Sequence, residues 1–158
     1  MPLYTDQLMR SVEITSSPKR IISVVPSQTE LLFDLGLDKE VIGITKFCIH
    51  PTKWFQNKTR IGGTKQLDLE KIRKLQPDLV IANREENVEE QINELARDLP
   101  VWVSDINNMD EAMSMITSIG SITGKEAIAR ALRQRIEKEF NNLKAAIQNK
   151  NQAVYLIW

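Results

Sequence analysis

The stretch RIISVVPSQTELLFDLGL, residues 20–37, decides the fold of this chain. It opens with a short β-branched run, residues 21–25, that is apolar on both faces, as in a central strand of a covered parallel sheet. Pro26 ends the run, and Ser27 with Glu30 fits the S-x-x-E capping box of a helix start. The stretch therefore predicts a strand, a tight turn and a helix. In open α/β folds ligands bind at such a turn, because free N–H groups and the positive end of the helix dipole face the crevice.

The composition is that of a soluble globular domain. Of the 158 residues, 42% are apolar and 27% are charged, and the 21 basic residues balance the 21 acidic ones. The total charge therefore gives no reason to expect a nucleic-acid or anionic-membrane partner. One cysteine, Cys48, excludes an internal disulfide. The first residues lack the layout of a signal peptide, so we expect either a cytoplasmic protein or an export signal outside this sequence.

Strands and helices alternate in the first two thirds of the sequence. Further strands are predicted where short apolar runs are bounded by turn residues, at 41–45, 60–63, 78–83 and 101–103. Helices are predicted between them at 69–75, where Asp68 is the expected cap, and at 88–99, with Asn87 and Glu90 repeating the capping pattern. Residues 46–57 are predicted to form a loop. This order predicts an α/β fold in which flanking helices cover a Rossmann-like parallel sheet, with right-handed crossovers. We assign it to an N-terminal lobe, residues 1–107.

The sequence after residue 107 reads as helix almost continuously to residue 149. Gly120 and Gly124 divide it into two helices that we expect to lie end to end. The run AVYLIW, 153–158, then predicts a new strand. We therefore predict a long two-piece backbone helix at 108–150 and the first strand of a truncated second lobe at 151–158. The alternative is that this strand extends the edge of the first sheet.

Polar and aromatic side chains follow the predicted strand ends. Pro26, Ser27 and Gln28 lie at the first crevice, where capping is the alternative role of Ser27. His50 is a suitable ligand for iron, zinc or cobalt, but only Cys48 offers a second donor nearby, so we predict no metal site and keep His50 as a weak candidate. Arg84 follows the strand at 78–83 and is suited to bind carboxylates bidentately; the alternative is a solvated charge.

Three blocks carry a family resemblance: PKRIISVVPSQTELLFDLGL at 18–37, VIGIT at 41–45 and LDLEKIRKLQPDLVIAN at 67–83. In this order, and followed by a capped helix and a long helix, they resemble the binding proteins of ABC importers for vitamin B12, haem and ferric siderophores. These are the helical-backbone class of periplasmic binding proteins. The resemblance implies two α/β lobes joined by a long helix, with the ligand between them. This chain is then expected to provide the N-terminal lobe, the connecting helix and the first strand of the second lobe.

The resemblance also implies roles for individual residues. It places an aromatic residue of the corrinoid binders at Phe47, where a ring can lie flat on a macrocycle. Thr64 and Asn83 stand where the B12-binding relatives carry tryptophans, so the chain departs from the corrinoid pattern there. Glu70 aligns with a surface glutamate that docks on arginines of the membrane permease. Trp54, near Phe47 in the sequence, is either a stacking face for the ligand or a packing residue.

These observations predict a non-catalytic, substrate-binding component of an ABC importer for a metal chelate or macrocycle. The ligand is expected to be an iron or cobalt complex of the ferric siderophore, haem or cobalamin type, with no covalent cofactor. The implied partners are this small molecule and a permease, without nucleic acid. The implied location is periplasmic or cell-surface.

Two alternatives stay open at this point. The absence of a signal-peptide layout would suit a cytoplasmic carrier of a metal or corrinoid. A nucleotide-dependent enzyme would suit the alternation of strands and helices. However, the PSQTE turn lacks the glycines that let a backbone approach a pyrophosphate, and a single histidine leaves no Ser/His/Asp constellation.

Overall fold

The computed structural model describes residues 3–147. In this range the strands are β1 Leu3–Thr5, β2 Ser11–Glu13, β3 Ile21–Ser23, β4 Val41–Ile44, β5 Thr59–Arg60, β6 Leu79–Asn83 and β7 Val101–Ser104. The helices are α1 Pro26–Asp34, α2 Thr52–Asn57, α3 Leu69–Lys74, α4 Glu89–Leu95, α5 Met109–Thr123 and α6 Glu126–Ala146. None of these helices combines the length and the apolar composition needed to cross a membrane.

Five parallel strands form the main sheet, in the order β5-β4-β3-β6-β7. The central strand is β3, as residues 20–37 predict: Ile21 is paired with Val41 on one side and with Leu79 on the other. In chain order, β4 and β5 are added on one side of β3, and β6 and β7 are then added on its other side. The predicted α/β class with a Rossmann-like parallel sheet is confirmed, and the direction of strand order reverses between β3 and β6.

The two faces of the sheet support separate cores, because successive residues in a strand point to opposite faces. On one face Ile21, Leu79 and Trp102 pack with α1 and α5. On the other face Ile22 and Val80 pack with α3 and α4. Ile21, Ile22, Leu79 and Val80 are fully buried. The sheet is therefore covered on both sides, which explains why its inner strands are mostly apolar.

The first residues form a separate β1–β2 hairpin that protects the edge strand β7. The Asp6 carboxylate accepts hydrogen bonds from the Val103 backbone N–H at 3.3 Å and from Arg10 Nε at 2.8 Å. The Gln7 N–H donates to the Val103 carbonyl at 3.1 Å. An exposed strand edge is a template for aggregation, and here side-chain and backbone groups of the hairpin turn occupy it.

The helix starts differ from two of the predicted capping boxes. Helix α1 begins at Pro26, one residue before the expected cap, and its N-cap is Val25, which has no capping side chain. Proline suits the first helical position because its missing N–H needs no partner there. Ser27 is therefore inside the helix and exposed, and its predicted capping role is wrong. Likewise α4 has Val88, rather than Asn87, as its N-cap.

The predicted break between the last two helices is confirmed, but their end-to-end arrangement is wrong. Helix α6 folds back along α5, with Arg133 Nη1 donating to Thr117 Oγ1 at 2.8 Å and Gly120 facing Ala129. Two glycines explain this reversal. Gly124 adopts a left-handed φ of 68°, which ends α5, and Gly120 lets the two helices approach closely. The division at residues 107 and 150 stays a prediction, and the predicted strand at 153–158 lies outside the described residues.

Replacing Gly120 with alanine tests this helix pair. A Cβ atom at position 120 would overlap the Cβ of Ala129, so we expect the free energy of unfolding to fall by about 1–3 kcal/mol in urea titrations. Ser121→Ala, at the exposed neighbouring position, should change it by less than about 0.5 kcal/mol. If the helices did not pack here, alanine would instead stabilise α5 by its higher helix propensity, and Gly120→Ala would raise the unfolding free energy.

Candidate functional site

The candidate site is the edge of the sheet where the parallel strands have their carboxyl ends. Ligands of open α/β sheets bind outside this edge, at the position where the strand order reverses. That position lies between β3 and β6. The sequence-predicted residues gather along this edge: they follow or end β3, β4 and β6, or, as for Thr64, are joined to this edge by hydrogen bonds.

The predicted site residues divide into exposed and enclosed side chains. Ser27, Phe47, His50 and Arg84 are exposed, with 53% of Phe47 accessible. Pro26 and Asn83 are half-buried, and Gln28 and Thr64 are buried. The exposed group is available to a ligand on the surface of this lobe, whereas the enclosed group makes hydrogen bonds or packs within the lobe.

A buried polar network lies beneath the site. Gln28 Nε2 donates to Ser104 Oγ, and Asn83 Nδ2 donates to the same oxygen at 3.0 Å. Asn83 Oδ1 accepts from the backbone N–H groups of Glu85 and Glu86, at 2.9 and 3.0 Å. The network ties α1, the end of β6 and the end of β7 together. Gln28 and Asn83 therefore use their side chains within the lobe.

Asn87 extends this network, and sequence reasoning missed its role. Its side chain is 5% exposed and donates from Nδ2 to the carbonyls of Val24 and Thr64, at 3.2 and 3.0 Å. Its Oδ1 accepts from the Asn83 N–H at 2.9 Å. The only signal in the sequence was the asparagine of an apparent capping box, which does not distinguish a cap from a cross-link between distant segments.

The segment after β4 carries the aromatic residues, and it contains helix α2 in addition to the expected loop. Trp54 is fully buried, and its Nε1 donates to Asp38 Oδ1 at 2.6 Å. Its ring meets Phe33 edge-on, with 5.4 Å between the ring centroids. Of the two roles considered for Trp54, packing is therefore confirmed and ligand stacking is wrong. Phe47 and Ile49, 53% and 54% exposed, form an apolar rim at the end of β4.

Cys48 and His50 do not share an environment. The Cys48 thiol is fully buried, and its Sγ lies 3.1 Å from the hydroxyl oxygens of Thr29 and Thr45. His50 is exposed. Within residues 3–147, no three His, Cys, Asp or Glu side chains converge as a protein metal site would require. Cys48 is thus a packed interior side chain, and contact of His50 with a ligand's metal stays a prediction.

Arg84 holds a carboxylate at the edge of the site. Its Nη1 lies 2.8 Å from Asp105 Oδ2, at the end of β7, and its side chain is 66% exposed. The hydrogen bond that Arg84 donates to Asp105, supported by the negative charge of that carboxylate, raises the pKa of Arg84 above its ordinary value. A guanidinium has five N–H donors, so this pair leaves donors for a second acceptor.

Glu70 lies in the first turn of α3. Asp68 caps that helix as predicted, accepting from the Lys71 N–H at 3.0 Å. Glu70 itself is exposed, and its carboxylate complements the positive end of the helix dipole. This position suits a surface contact, and docking to a permease stays a prediction.

Comparison with known proteins links this arrangement to a family. The family model described as periplasmic binding protein matches residues 21–158. An uncharacterised ABC transporter substrate-binding lipoprotein of Bacillus subtilis, YvrC, is 27% identical over 143 residues, covering 87% of this chain and 45% of that protein. A vitamin B12-binding protein of Pectobacterium carotovorum is 23% identical over 137 residues, covering 86% of this chain and 49% of that protein. The chain thus spans about half the length of these relatives.

Solved structures share the fold. The siderophore-binding protein BauB, bound to ferric iron and two molecules of acinetobactin, superposes with a TM-score of 0.83 at 21% identity, covering 94% of this chain and 55% of that one. The periplasmic haem-binding protein HutB of Vibrio cholerae superposes with a TM-score of 0.72 at 23% identity, covering 83% and 51%. At these identities the likeness shows the fold.

The anchoring of α2 can be tested through Asp38. Hydrogen bonds from Lys53 and Trp54 lower the pKa of the Asp38 carboxyl below 3.8 in the folded state. A carboxyl whose folded pKa is lowered adds stability above its unfolded pKa and loses that contribution as the pH falls through the folded value. We therefore expect Asp38→Asn to be less stable than the wild type near pH 7, and this difference to be smaller near pH 3, in urea titrations at both values. A difference of equal size at both pH values would contradict an ionic role.

Proposed function

The chain belongs to the periplasmic binding protein family, and from this premise we propose that it forms one wall of the ligand cleft of an ABC importer's binding protein. The proposed ligand is a metal chelate or macrocycle of the ferric siderophore, haem or cobalamin type. The proposed role is binding and delivery without catalysis. The names of the relatives support this proposal, since they include ABC transporter substrate-binding and vitamin B12-binding proteins.

The observation that carries the proposal is an open, partly apolar wall at the carboxyl edge of the sheet. Phe47 and Ile49 are more than half exposed, although they flank the fully buried Cys48. Arg84 stands at the end of β6, next to the point where the strand order reverses. Large exposed apolar side chains grouped with a few polar ones are typical of binding surfaces. A broad, flat ligand with polar groups at its rim matches this pattern.

The exposed residues then have distinct roles. The ring of Phe47 provides a face for a macrocycle or an aromatic chelating group. Arg84 binds a carboxylate of the ligand, either beside Asp105 or in exchange for it. Ser27 lies in the first turn of α1, where backbone N–H groups are available for an acceptor. His50 is a candidate contact for the metal of the ligand, which is cargo rather than a resident cofactor.

A location outside the cytoplasmic membrane follows from this function. We propose a periplasmic or cell-surface protein that delivers its ligand to a membrane permease, with Glu70 on α3 as one docking contact. The exposure of Glu70 in the first turn of α3 supports this role. A charge at the rim of an interface mainly steers and orients docking.

Ligand titrations test the proposed cargo. The protein expressed from its complete gene is titrated with cyanocobalamin, haemin, ferric acinetobactin and ferric petrobactin, and binding is followed by visible absorption and calorimetry. We expect one of these coloured ligands to bind, and Phe47→Ala to weaken it by about 3- to 10-fold through loss of ring contact.

Phe33→Ala is the matched control, because Phe33 is also an exposed ring, 40% accessible, but packs on Trp54 at the far end of α1. It should leave the affinity unchanged. Failure of all four ligands to bind would refute the ligand class. An equal loss of affinity in both variants would refute ring stacking by Phe47.

Docking is tested separately with Glu70→Gln. Association of the complete protein with its permease in lipid nanodiscs is measured at low and high salt. We expect a slower association rate for the variant at low salt and a smaller difference at high salt, because screening weakens interactions between exposed charges. Glu90→Gln is the control, since Glu90 is exposed in the first turn of α4. Equal rates for Glu70→Gln and the wild type at low salt would contradict the proposed contact.

A further inference from the structure

Three residues predicted to contact the ligand make hydrogen bonds within the lobe. Gln28 and Asn83 both donate to Ser104 Oγ, and the backbone carbonyl of Thr64 accepts from Asn87. Gln28 is 1% exposed and Thr64 is 9% exposed. The proposed wall of the ligand cleft therefore has two layers. Exposed side chains form the outer layer, and buried hydrogen bonds form the inner layer beneath it. The inner layer determines where the outer side chains stand.

Asn87 occupies the centre of the inner layer. Its side chain contacts the end of β3 at the Val24 carbonyl, the turn after β5 at the Thr64 carbonyl, and the end of β6 at the Asn83 N–H. Its own N–H also donates to the Asn83 carbonyl, at 3.2 Å. One side chain thus joins three segments that are distant in the sequence. Two of them, the ends of β3 and β6, flank the point where the strand order reverses.

Two of these bonds lead to exposed residues of the wall. Asn83 is followed directly by Arg84, so the bond to the Asn83 N–H fixes the turn that presents the guanidinium. Thr64 follows Gly63, which packs under the Phe47 ring so closely that a Cβ at position 63 would lie 3.0 Å from Phe47 Cε2. The bond to the Thr64 carbonyl therefore holds the backbone on which the Phe47 ring rests.

We propose that Asn87 is a positioning residue of the ligand site: it sets the relative placement of Phe47 and Arg84 without itself contacting the ligand. This inference rests on the proposed function for its effect on affinity. Its effect on the structure of the wall is independent of which ligand is bound.

The chemistry of asparagine fits this role. The amide offers two N–H donors and a carbonyl acceptor, and the structure uses both donors and the acceptor. An aspartate of the same shape keeps the acceptor but has no donor when ionised, and it would place a negative charge beside two carbonyl oxygens. An alanine removes all three bonds. Asn87→Asp therefore tests the donors with little change in shape.

The matched control acts at the opposite edge of the sheet. Asp78 precedes β6, and its carboxylate accepts from the backbone N–H groups of Lys19 and Arg20 at 2.7 and 2.8 Å. It joins two distant segments by side-chain hydrogen bonds, as Asn87 does, but at the amino ends of β3 and β6. Asp78→Ala should lower the melting temperature and leave the ligand wall intact.

The experiment combines two readouts on the protein expressed from its complete gene. The first is the affinity for cyanocobalamin, haemin, ferric acinetobactin or ferric petrobactin. The second is amide hydrogen exchange without ligand at Asn83, Glu85 and Glu86, whose N–H groups depend on the Asn83–Asn87 turn. Both are measured well below the melting temperature of each variant.

We expect Asn87→Asp and Asn87→Ala each to lose at least about tenfold in affinity. Asn87→Ala should also exchange faster at these three amides, whereas Asn87→Asp keeps the acceptor for the Asn83 N–H and Asp78→Ala keeps both properties of the wild type. Unchanged exchange at the three amides in Asn87→Ala would overturn the proposal, as would wild-type affinity in that variant. If the wild type binds none of the four ligands, the proposed cargo fails, and the exchange readout alone decides the role of Asn87.

Discussion

Parallel pairing of β3 with β4 and β6 is the constraint on which the rest of this structure depends. Parallel strands need crossovers, so helices cover both faces of the sheet and its inner strands are mostly apolar. All the strands also end at the same edge. The turns that follow β3, β4 and β6 are therefore neighbours in space, although they are widely separated in the sequence. Strand pairing alone therefore brings the segments of the candidate site close together.

Burial at that edge creates a second requirement. Backbone groups released at strand ends need partners, because an unpaired buried carbonyl or N–H group costs about 1–3 kcal/mol. Here Asn83, Asn87 and Ser104 supply those partners, with Gln28 joining from α1. The proposed ligand surface consists of residues whose side chains this network does not engage, chiefly Phe47, Ile49 and Arg84.

The α5–α6 hairpin shows how two small residues change the architecture. With Gly124 left-handed and Gly120 at the helix contact, the second helix returns along the first rather than continuing its direction. Helix α6 is 21 residues long, about 31 Å, whereas α5 has 15 residues. Its last turns therefore extend past the start of α5. They carry exposed Phe140, Leu143 and Ile147.

The sequence by itself determined the α/β class, the order of the five sheet strands and of most helices, and the edge at which the candidate site lies. These follow from apolar periodicity and turn residues, which act over a few positions. Only the tertiary structure decided that Ser27 is not a cap, that Trp54 is buried, and that α6 folds back on α5. The same holds for Asn87, whose donor reaches a carbonyl 63 positions away. Packing between distant segments determines such hydrogen-bond partners, and a local sequence pattern does not contain that information.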